Sequence, residues 1–360
     1  MQNARDTTSL TAGADNENVM HMTQFLPLMI AGFVAAAGFT PLTKRLAFFL
    51  GVLDQPSSRK IHNNPTPLMG GLAIYGAFVV ALALFSPPGY LIEFGAVLAS
   101  TFWLVLVGFL DDRNGMSPWV KMGGQLVAGV VVVAAGIRVG VFPWLWLNVA
   151  VTLFWLVGIT NAINFLDNMD GLAAGITAIA SFFFFVLAVQ EELSLVSSLA
   201  AALMGASVGF LLYNFNPAST FMGDMGSMVL GFVLAVLAIK LDFRTPKSEA
   251  ATWLVPIVIL GLPVFDTSLV VFTRLREGRS PMQAGKDHTS HRLVSLGLST
   301  RAAVLTLYAV CVGLGLVALT LARADLRQAS WIIAGLLAVA LGAFVFMELI
   351  YIRAQRAAHH

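Results

Sequence analysis

Aspartates at the edges of long apolar stretches are the residues of this 360-residue chain whose types and spacing best suit chemistry. Asp111 and Asp112 directly follow the apolar segment 102–110 and precede Arg113. Adjacent carboxylates repel each other, so a divalent cation or another bound cation is expected to compensate their charge. An interfacial stop signal, with Arg113 as its partner, is the alternative interpretation.

A second cluster combines amides with carboxylates at a spacing of three residues. Asn161 and Asn164, then Asp167 and Asp170, stack on one face if the segment is helical. Between apolar stretches such residues are costly unless they line a polar cavity, where their oxygens suit Mg²⁺ or a nucleotide. The spacing before Gly171 excludes an EF-hand calcium loop, and a structural turn is the alternative.

A third cluster surrounds Asp224, which stands at the predicted start of a helix. Gly223 and Gly226 permit close backbone approach, and the N–H groups of a helix start can bind an anion. Asp224 could instead be a simple helix cap. Phe221, just before it, is either an interfacial anchor or a stacking surface for a base.

Basic residues and histidines concentrate in residues 273–300, a pattern that suits phosphate binding. Basic loops are also normal on the cytoplasmic side of membrane proteins, which is the alternative reading. The residues of interest there are Arg279, Lys286, Asp287, His288, His291 and Arg292.

Charged residues near or inside apolar spans form the last group. Asp266 lies within such a span after Pro263, and an intramembrane acid is a functional candidate. Lys121 can extend to the headgroup level, where a lipid phosphate would lie. Arg59 and Lys60 face either a phosphate or the anionic leaflet.

Membrane-spanning helices must position these residues. Hydrophobic residues make up 58% of the chain and charged residues 11%, against about 25% charged in soluble domains. We predict an all-α, polytopic integral membrane protein with eleven transmembrane helices, ten being the alternative count. The predicted spans are about 24–42, 70–86, 91–110, 119–136, 145–163, 171–190, 194–213, 225–241, 250–272, 301–322 and 330–351.

The charge distribution predicts the orientation. Eleven spans put the termini on opposite sides, and 14 of the 21 Lys and Arg fall on the side of the C-terminus. The positive-inside rule makes that side cytoplasmic and puts the N-terminus outside. The aspartates of all the clusters fall on the same side. A polar tail (1–23) without a signal-peptide pattern, one transmembrane domain (24–352) and a cytoplasmic tail (353–360) are predicted.

Five motifs, in this order, resemble the polyprenyl-phosphate N-acetylhexosamine-1-phosphate transferases of glycosyltransferase family 4. The similarity covers about residues 51 to 301. The motifs are Asp54-x-Pro56 continuing to Gly71, Gly108 to Arg113, Asn161 to Leu172, Phe221 to Ser227, and Asp287 to Arg292. The residues around Arg59 and Arg279 resemble the branch that uses UDP-N-acetylglucosamine more than the muramoyl-pentapeptide branch.

The resemblance implies transfer of a sugar 1-phosphate, chiefly N-acetylglucosamine 1-phosphate, from a UDP-sugar to undecaprenyl phosphate. UMP is released, Mg²⁺ is the cofactor with Mn²⁺ as a substitute, and the product starts a cell-envelope polysaccharide at the cytoplasmic face of the inner (plasma) membrane. UDP-N-acetylmuramoyl-pentapeptide is the alternative donor, and an ion-coupled transporter is a remote alternative. The sequence leaves open whether the protein forms a homodimer. Its formal charge of +2 gives no indication of nucleic acid.

The resemblance also implies residue roles. Catalytic roles fall on Asp111, Asp112, Asp167, Asp170, His288 and His291, and Asp224 is the metal ligand, with Asn164 as a second candidate. Substrate-binding roles fall on Arg59, Lys60, His62, Lys121, Asn161, Asn164, Gly171, Leu172, Phe221, Arg279 and Arg292. The chain departs from the family pattern at Asn168, where glycine is usual, and at Ser290, where a histidine is common. Asn168 is expected to adopt the positive φ that glycine would take.

Overall fold

Helices form almost all of the computed structural model, which describes residues 21–54, 65–243, 249–283 and 285–358. A short 3₁₀ turn, Met22–Phe25, precedes the first helix. Two short strands, β1 (Leu53–Asp54) and β2 (Thr66–Pro67), pair antiparallel. The α-helices are α1 (Leu26–Leu50), α2 (Gly70–Phe85), α3 (Leu91–Asn114), α4 (Pro118–Ala134), α5 (Leu145–Leu166), α6 (Leu172–Gln190), α7 (Ser194–Asn214), α8 (Gly223–Lys240), α9 (Glu249–Ile259), α10 (Gly261–Arg276), α11 (Thr289–Ser295), α12 (Thr300–Leu321) and α13 (Leu326–Ala358).

The predicted all-α membrane architecture is confirmed. Among the described residues, eight helices are long and apolar enough to cross a membrane, and the bent pair α9–α10 would make a ninth. The shorter apolar helices α2 and α4 coincide with two further predicted spans. Every predicted span therefore corresponds to a helix or to the bent pair.

The predicted span 250–272 is wrong as a continuous helix, because the chain bends by 73° between α9 and α10. Pro263 has no N–H with which to bond the carbonyl of Ile259, four residues earlier. The helical pattern resumes one residue later, where Val264 N–H donates to Leu260 O at 3.1 Å. The bend brings α10 towards the same end of the molecule as the clustered aspartates.

Several predicted helix ends are wrong because the spans were ended at charged residues. α1 continues through Lys44 and Arg45 to Leu50, and α13 runs to Ala358. Asp111 and Asp112 lie in the last turn of α3 rather than on a loop, and the short helix α11 interrupts the predicted loop 273–300. Hydropathy falls at a charged residue, but the backbone hydrogen bonds that define a helix continue past it.

The most buried helices are α6, α7 and α8, whereas α13 is exposed along nearly all of its length. α8 packs against α5, α3 and α2, and α7 packs against α1 and α6. The N–H groups of Gly70 and Gly71 donate to the carbonyls of Phe221 and Met222 at 3.0 and 2.9 Å. The start of α2 thereby fixes the segment that leads into α8.

Candidate active site

A polar cavity of about 940 Å³ opens at the end of the bundle where α3 and α5 finish and α8 begins. The segment before α6, the segment before α8 and the loop between α10 and α11 complete its wall. Carboxyl groups outnumber cationic groups in the described part of this wall, where Lys286 is the one ammonium group among the lining residues. The lining carboxylates are Asp54, Asp112, Asp167, Asp170 and Asp224. Such an excess of negative charge attracts cations.

Lys121, near the start of α4, joins carboxylates from two other helices. Its ammonium lies 3.0 Å from Asp111 Oδ2 and forms an ion pair with Asp224. It also donates to Asn164 Oδ1 at 3.3 Å. The sequence had associated Lys121 with a lipid phosphate, whereas the structure shows it between the ends of α3, α5 and α8.

The neighbouring aspartates of α3 have separate partners. Asp112 Oδ1 accepts a hydrogen bond from the Asp224 N–H at 3.0 Å, and its Oδ2 accepts from Met225 N–H at 3.4 Å. Asp112 thus places its two carboxyl oxygens at the N-terminus of α8, where they accept hydrogen bonds from N–H groups that have no partner within the helix. Asp111 turns to Lys121 and to the N–H of Met116, at 2.6 Å.

Gly108 is the reason that α3 can approach α8 so closely. A Cβ at this position would lie 2.4 Å from the backbone nitrogen of Met225, so a side chain there would force the helices apart. Asp112 follows Gly108 by four residues and therefore lies on the same face of α3. The glycine contact and the Asp112 hydrogen bonds are two parts of one helix interface.

Asp167 and Asp170 lie in the cavity wall at the end of α5 and have different surroundings. Burial raises the pKa of Asp167 to about 8, and the charges of Asp224 and Asp170 raise it further. Asp170 Oδ2 instead accepts hydrogen bonds from Asn216 Nδ2 and from the Ala218 N–H, both at 2.9 Å. Asp170 therefore fixes the segment that precedes α8.

Gly171 anchors this segment to the rest of the bundle. It has φ +77°, its N–H donates to Asn214 Oδ1 at 3.1 Å, and its carbonyl accepts from the Tyr308 hydroxyl. The sequence motifs assign no role to Asn214, Asn216 or Tyr308. A tyrosine inside an apolar span gives no sequence signal of a contact with a loop.

Asn168 and Ser290, the two departures from the family pattern, bond to each other. Ser290 Oγ donates to Asn168 Oδ1 at 2.6 Å, and Asn168 Nδ2 donates to Phe165 O at 2.8 Å. The expected positive φ of Asn168 is wrong, since Glu192 is the one non-glycine residue with positive φ in the described chain. Asn168 instead links the end of α5 to α11.

The two histidines have different environments. His291 lines the cavity, and burial lowers its pKa to about 4, helped by the positive charges of His288 and Lys286. His288 is buried, with Nδ1 2.8 Å from Asp266 Oδ2. The other oxygen of Asp266 accepts the Thr289 N–H at 2.6 Å. Asp266, singled out as an intramembrane acid, therefore holds the start of α11.

The arginines of the loop bind carboxylates of the protein and are absent from the cavity lining. Arg274 donates twice to Asp287, from Nε at 2.9 Å and from Nη2 at 2.8 Å. Arg279 donates to Asp287 at 2.9 Å, and Arg292, 1% exposed, donates to Glu348. Burial acts to raise the pKa of Asp287, but Arg274 holds it at about 2. The substrate-binding roles of Arg279 and Arg292 stay predictions.

The remaining predicted site residues fall into four groups. Phe221 and Asn164 line the cavity, whereas Leu172 is fully buried in the core. Asn161 exchanges hydrogen bonds with Gln125 and borders a second, apolar cavity of about 450 Å³. Arg59, Lys60 and His62 lie outside the described residues.

The oxygen donors around Asp224 suit a hard divalent cation such as Mg²⁺. Asp111 and Asp224 share the single ammonium of Lys121, and the charge of Asp224 helps to raise the pKa of Asp167, so these carboxyl groups lie close enough to repel each other. Asn164 Oδ1 faces Lys121, while its amide nitrogen donates to Asp224 at 2.6 Å. No group of three or more His, Cys, Asp or Glu among the described residues is already arranged around a metal position. The donor types and the charge fit Mg²⁺, although the ligand sphere is not preformed.

Comparison with known proteins agrees with the five motifs. The family model described as "Glycosyl transferase family 4" matches residues 94–242. A probable undecaprenyl-phosphate N-acetylglucosaminyl 1-phosphate transferase of Bacillus subtilis is 36% identical over 298 residues, which are 80% of this chain and 82% of the relative. A decaprenyl-phosphate N-acetylglucosaminephosphotransferase of Mycolicibacterium smegmatis is 34% identical over 73% of each chain. A phospho-N-acetylmuramoyl-pentapeptide-transferase of Bacillus cytotoxicus is 34% identical over 65% of this chain and 76% of the relative.

Proposed function

This chain belongs to glycosyl transferase family 4, and we propose that it transfers N-acetylglucosamine 1-phosphate from UDP-N-acetylglucosamine to undecaprenyl phosphate, with release of UMP. The observation that carries the proposal is the carboxylate-lined cavity at one end of the helix bundle, to which each of the five family-like motifs contributes lining residues. The product would start a cell-envelope polysaccharide. The longer matches are with relatives named for N-acetylglucosamine, which favours that sugar over the muramoyl-pentapeptide.

The donor fits the part of the cavity between Phe221 and the loop that joins α10 to α11. Phe221 offers an aromatic face on which a uracil ring can stack. Asp170 is held by the segment 216–218 beside it, so its position is set before any nucleotide binds. Lys286 and His291 lie on the loop side of the same cavity, at the place left for a diphosphate and a sugar.

The acceptor fits the side of α4 and α5. The apolar cavity beside Asn161 is lined by Met122, the residue after Lys121, and can take part of a polyprenyl chain. In this proposal the acceptor phosphate would meet the ammonium of Lys121, which lies between Asp111 and Asp224. Phosphoryl transfer requires positioning and charge neutralisation more than covalent help from the protein.

Mg²⁺ would be held by Asp224, with Asn164 as the second candidate ligand. When bound, it would neutralise the diphosphate and stabilise the departing UMP. Asp112 orients Asp224 by accepting its backbone N–H, and Asn164 donates to its side chain. These contacts would hold Asp224 in one orientation while the remaining ligands assemble around the ion.

We place the cavity at the cytoplasmic face of the inner membrane. The basic residues of the loops at this end support that orientation through the positive-inside rule. A UDP-sugar is a cytosolic metabolite, so its cavity must open to that side.

The test is a radiolabel assay with purified protein, undecaprenyl phosphate, Mg²⁺ and UDP-N-acetylglucosamine, with UDP-N-acetylmuramoyl-pentapeptide in a parallel arm. We expect labelled lipid and UMP with the first donor, and neither product after chelation of Mg²⁺. Asp224→Asn should abolish both products. Lipid product with the pentapeptide donor alone would reassign the sugar, and no lipid product with any donor would refute the proposal.

A further inference from the structure

The last helix, α13, buries one carboxylate although nearly all of its surface is exposed. Among the described side chains of α13, only Ala329, Glu348 and Ile350 are buried. Burying a carboxylate is costly unless it is paired, and in a membrane protein such a group usually serves a function. Glu348 lies close to the C-terminal end of α13, the same end of the bundle as the cavity.

Glu348 is surrounded by donors from two other helices. Its Oε1 accepts Arg292 Nη1 of α11 at 2.8 Å and the hydroxyl of Thr273 of α10. Arg276, also on α10, forms an ion pair with its second oxygen. One carboxylate of α13 therefore joins the end of α10 to α11.

Arg292 carries this contact to the loop backbone. Its Nε donates to the carbonyl of Asp287 at 2.8 Å, and its Nη1 also donates to Met347 O at 2.9 Å. The guanidinium carbon lies 4.7 Å from the centre of the Tyr351 ring. A planar group with this many fixed contacts holds its neighbours rigidly, as a lysine at the same place could not.

The segment held in this way supplies the loop side of the cavity wall. The Asp287 side chain points inward to Arg274 and Arg279. Lys286 and His291, which directly precede the bonded residues Asp287 and Arg292, line the cavity. The interior contacts thus determine which side chains of the loop remain available to a ligand.

We propose that Glu348 is a positioning residue of the active site, which acts through Arg292 to hold residues 285–292 so that Lys286 and His291 face the donor's diphosphate and sugar. The choice of ligand rests on the proposed function. As a consequence, α13 supports the donor site although it lies outside the motifs in sequence. Glu348 itself does not touch the substrate.

The experiment compares Glu348→Gln with Arg292→Lys, the double variant and Arg323→Gln. Glu348→Gln keeps the shape of the side chain but removes its charge. Arg323→Gln is the matched control, because Arg323 donates to Gln190 at 3.2 Å at the opposite end of the bundle and is exposed. The readouts are KM for UDP-N-acetylglucosamine, KM for undecaprenyl phosphate, kcat, the thermal midpoint, and amide hydrogen exchange of residues 285–296.

We expect Glu348→Gln to raise the donor KM about tenfold, the size of effect seen when a supporting contact of a bound site is lost. The acceptor KM should stay within about twofold of the parent, and exchange should increase in residues 285–296. Because the two residues act in series, the double variant should be no worse than the more affected single variant. Arg323→Gln should match the parent in both KM values.

An unchanged donor KM in a folded Glu348→Gln protein, or additive effects in the double variant, would overturn the positioning role. The positioning role would also be overturned if kcat fell only in proportion to the amount of folded protein while both KM values stayed unchanged. If the parent protein turned over no UDP-sugar, the proposed function would fail instead. The exchange measurement would then still decide whether Glu348 holds the loop, since it needs no donor.

Discussion

At the scale of single residues, the site depends on one ammonium among several carboxylates. Lys121 contacts Asp111, Asp224 and Asn164 and therefore competes with a divalent cation for the same oxygens. In the proposed function it also supplies the positive charge that the acceptor phosphate would meet. Its replacement should therefore strengthen Mg²⁺ binding while it lowers turnover.

We expect Lys121→Gln to lower turnover about 100-fold or more, the usual loss when a preorganised donor is removed from a reacting group. The Mg²⁺ concentration that gives half of the metal-dependent rise in melting temperature should fall, because a competing cation is gone. Thermal melting in detergent and the radiolabel assay measure the two effects. Weaker Mg²⁺ binding in this variant would contradict the arrangement, and Arg323→Gln serves as the control for general changes in charge.

His291 makes the folded protein sensitive to acid. Its folded pKa of about 4 lies below the value of about 6.5 in an unfolded chain, so the unfolded state takes up the proton first. The part of the stability that His291 contributes should therefore fall as the pH drops from about 6.5 towards 4, whereas Asp167, with its raised pKa, acts in the opposite direction. Asp287 adds to this loss only below about pH 5, because its folded pKa of about 2 lies under its unfolded value of about 3.9.

His291→Gln should lose less thermal stability than the parent protein between pH 7 and pH 5. Melting temperatures of both proteins in one detergent across this range measure the difference. Parallel curves for the two proteins would show that His291 carries no such penalty.

At the scale of helices, a contact between backbones determines where Asp112 stands. We expect Gly108→Ala to push α3 away from α8, since the new Cβ would lie 2.4 Å from Met225 N. The cost should be about 1–3 kcal/mol of stability, as for other overpacked interfaces. Turnover should fall about 100-fold, because Asp112 would lose the N–H groups that it accepts.

Gly95→Ala is the matched control for this helix. Gly95 also lies in α3, but a Cβ there meets no atom within 4 Å. It should keep full turnover and melt no lower than the parent, since alanine favours the helix over glycine. Equal losses in the two variants would mean that the glycine contact does not position the site.

At the scale of the whole molecule, the cavity lies at one end of the bundle and the opposite end carries the short connections. Gln283 lines the cavity, whereas Arg138 follows the far end of α4, and both are exposed. Gln283→Cys should react with a membrane-impermeant maleimide in inverted vesicles, and Arg138→Cys in spheroplasts. The native Cys311 is buried and should give little background. Labelling of both positions from one side would refute the opposite placement of these two ends.

The membrane-spanning helices could be read from the sequence because a bilayer imposes their length and apolar composition. The carboxylate clusters were readable for the related reason that charged groups beside apolar spans need compensation. The break between α9 and α10 could have been predicted from Pro263, whose missing N–H is a local property. The ends of α1, α3 and α13 could not be read, since hydropathy reports on solvent and not on backbone hydrogen bonding.

The sequence by itself determined the class of the protein, the family and the residues that surround the site, because those depend on residue types and on order along the chain. Only the tertiary structure decided what each charged side chain contacts. It divided Asp111 from Asp112, joined Asn168 to Ser290, and turned Arg292 away from the cavity towards Glu348. These partners lie on different helices, and the energy of a buried charge depends on its neighbours in space rather than on its neighbours in the chain.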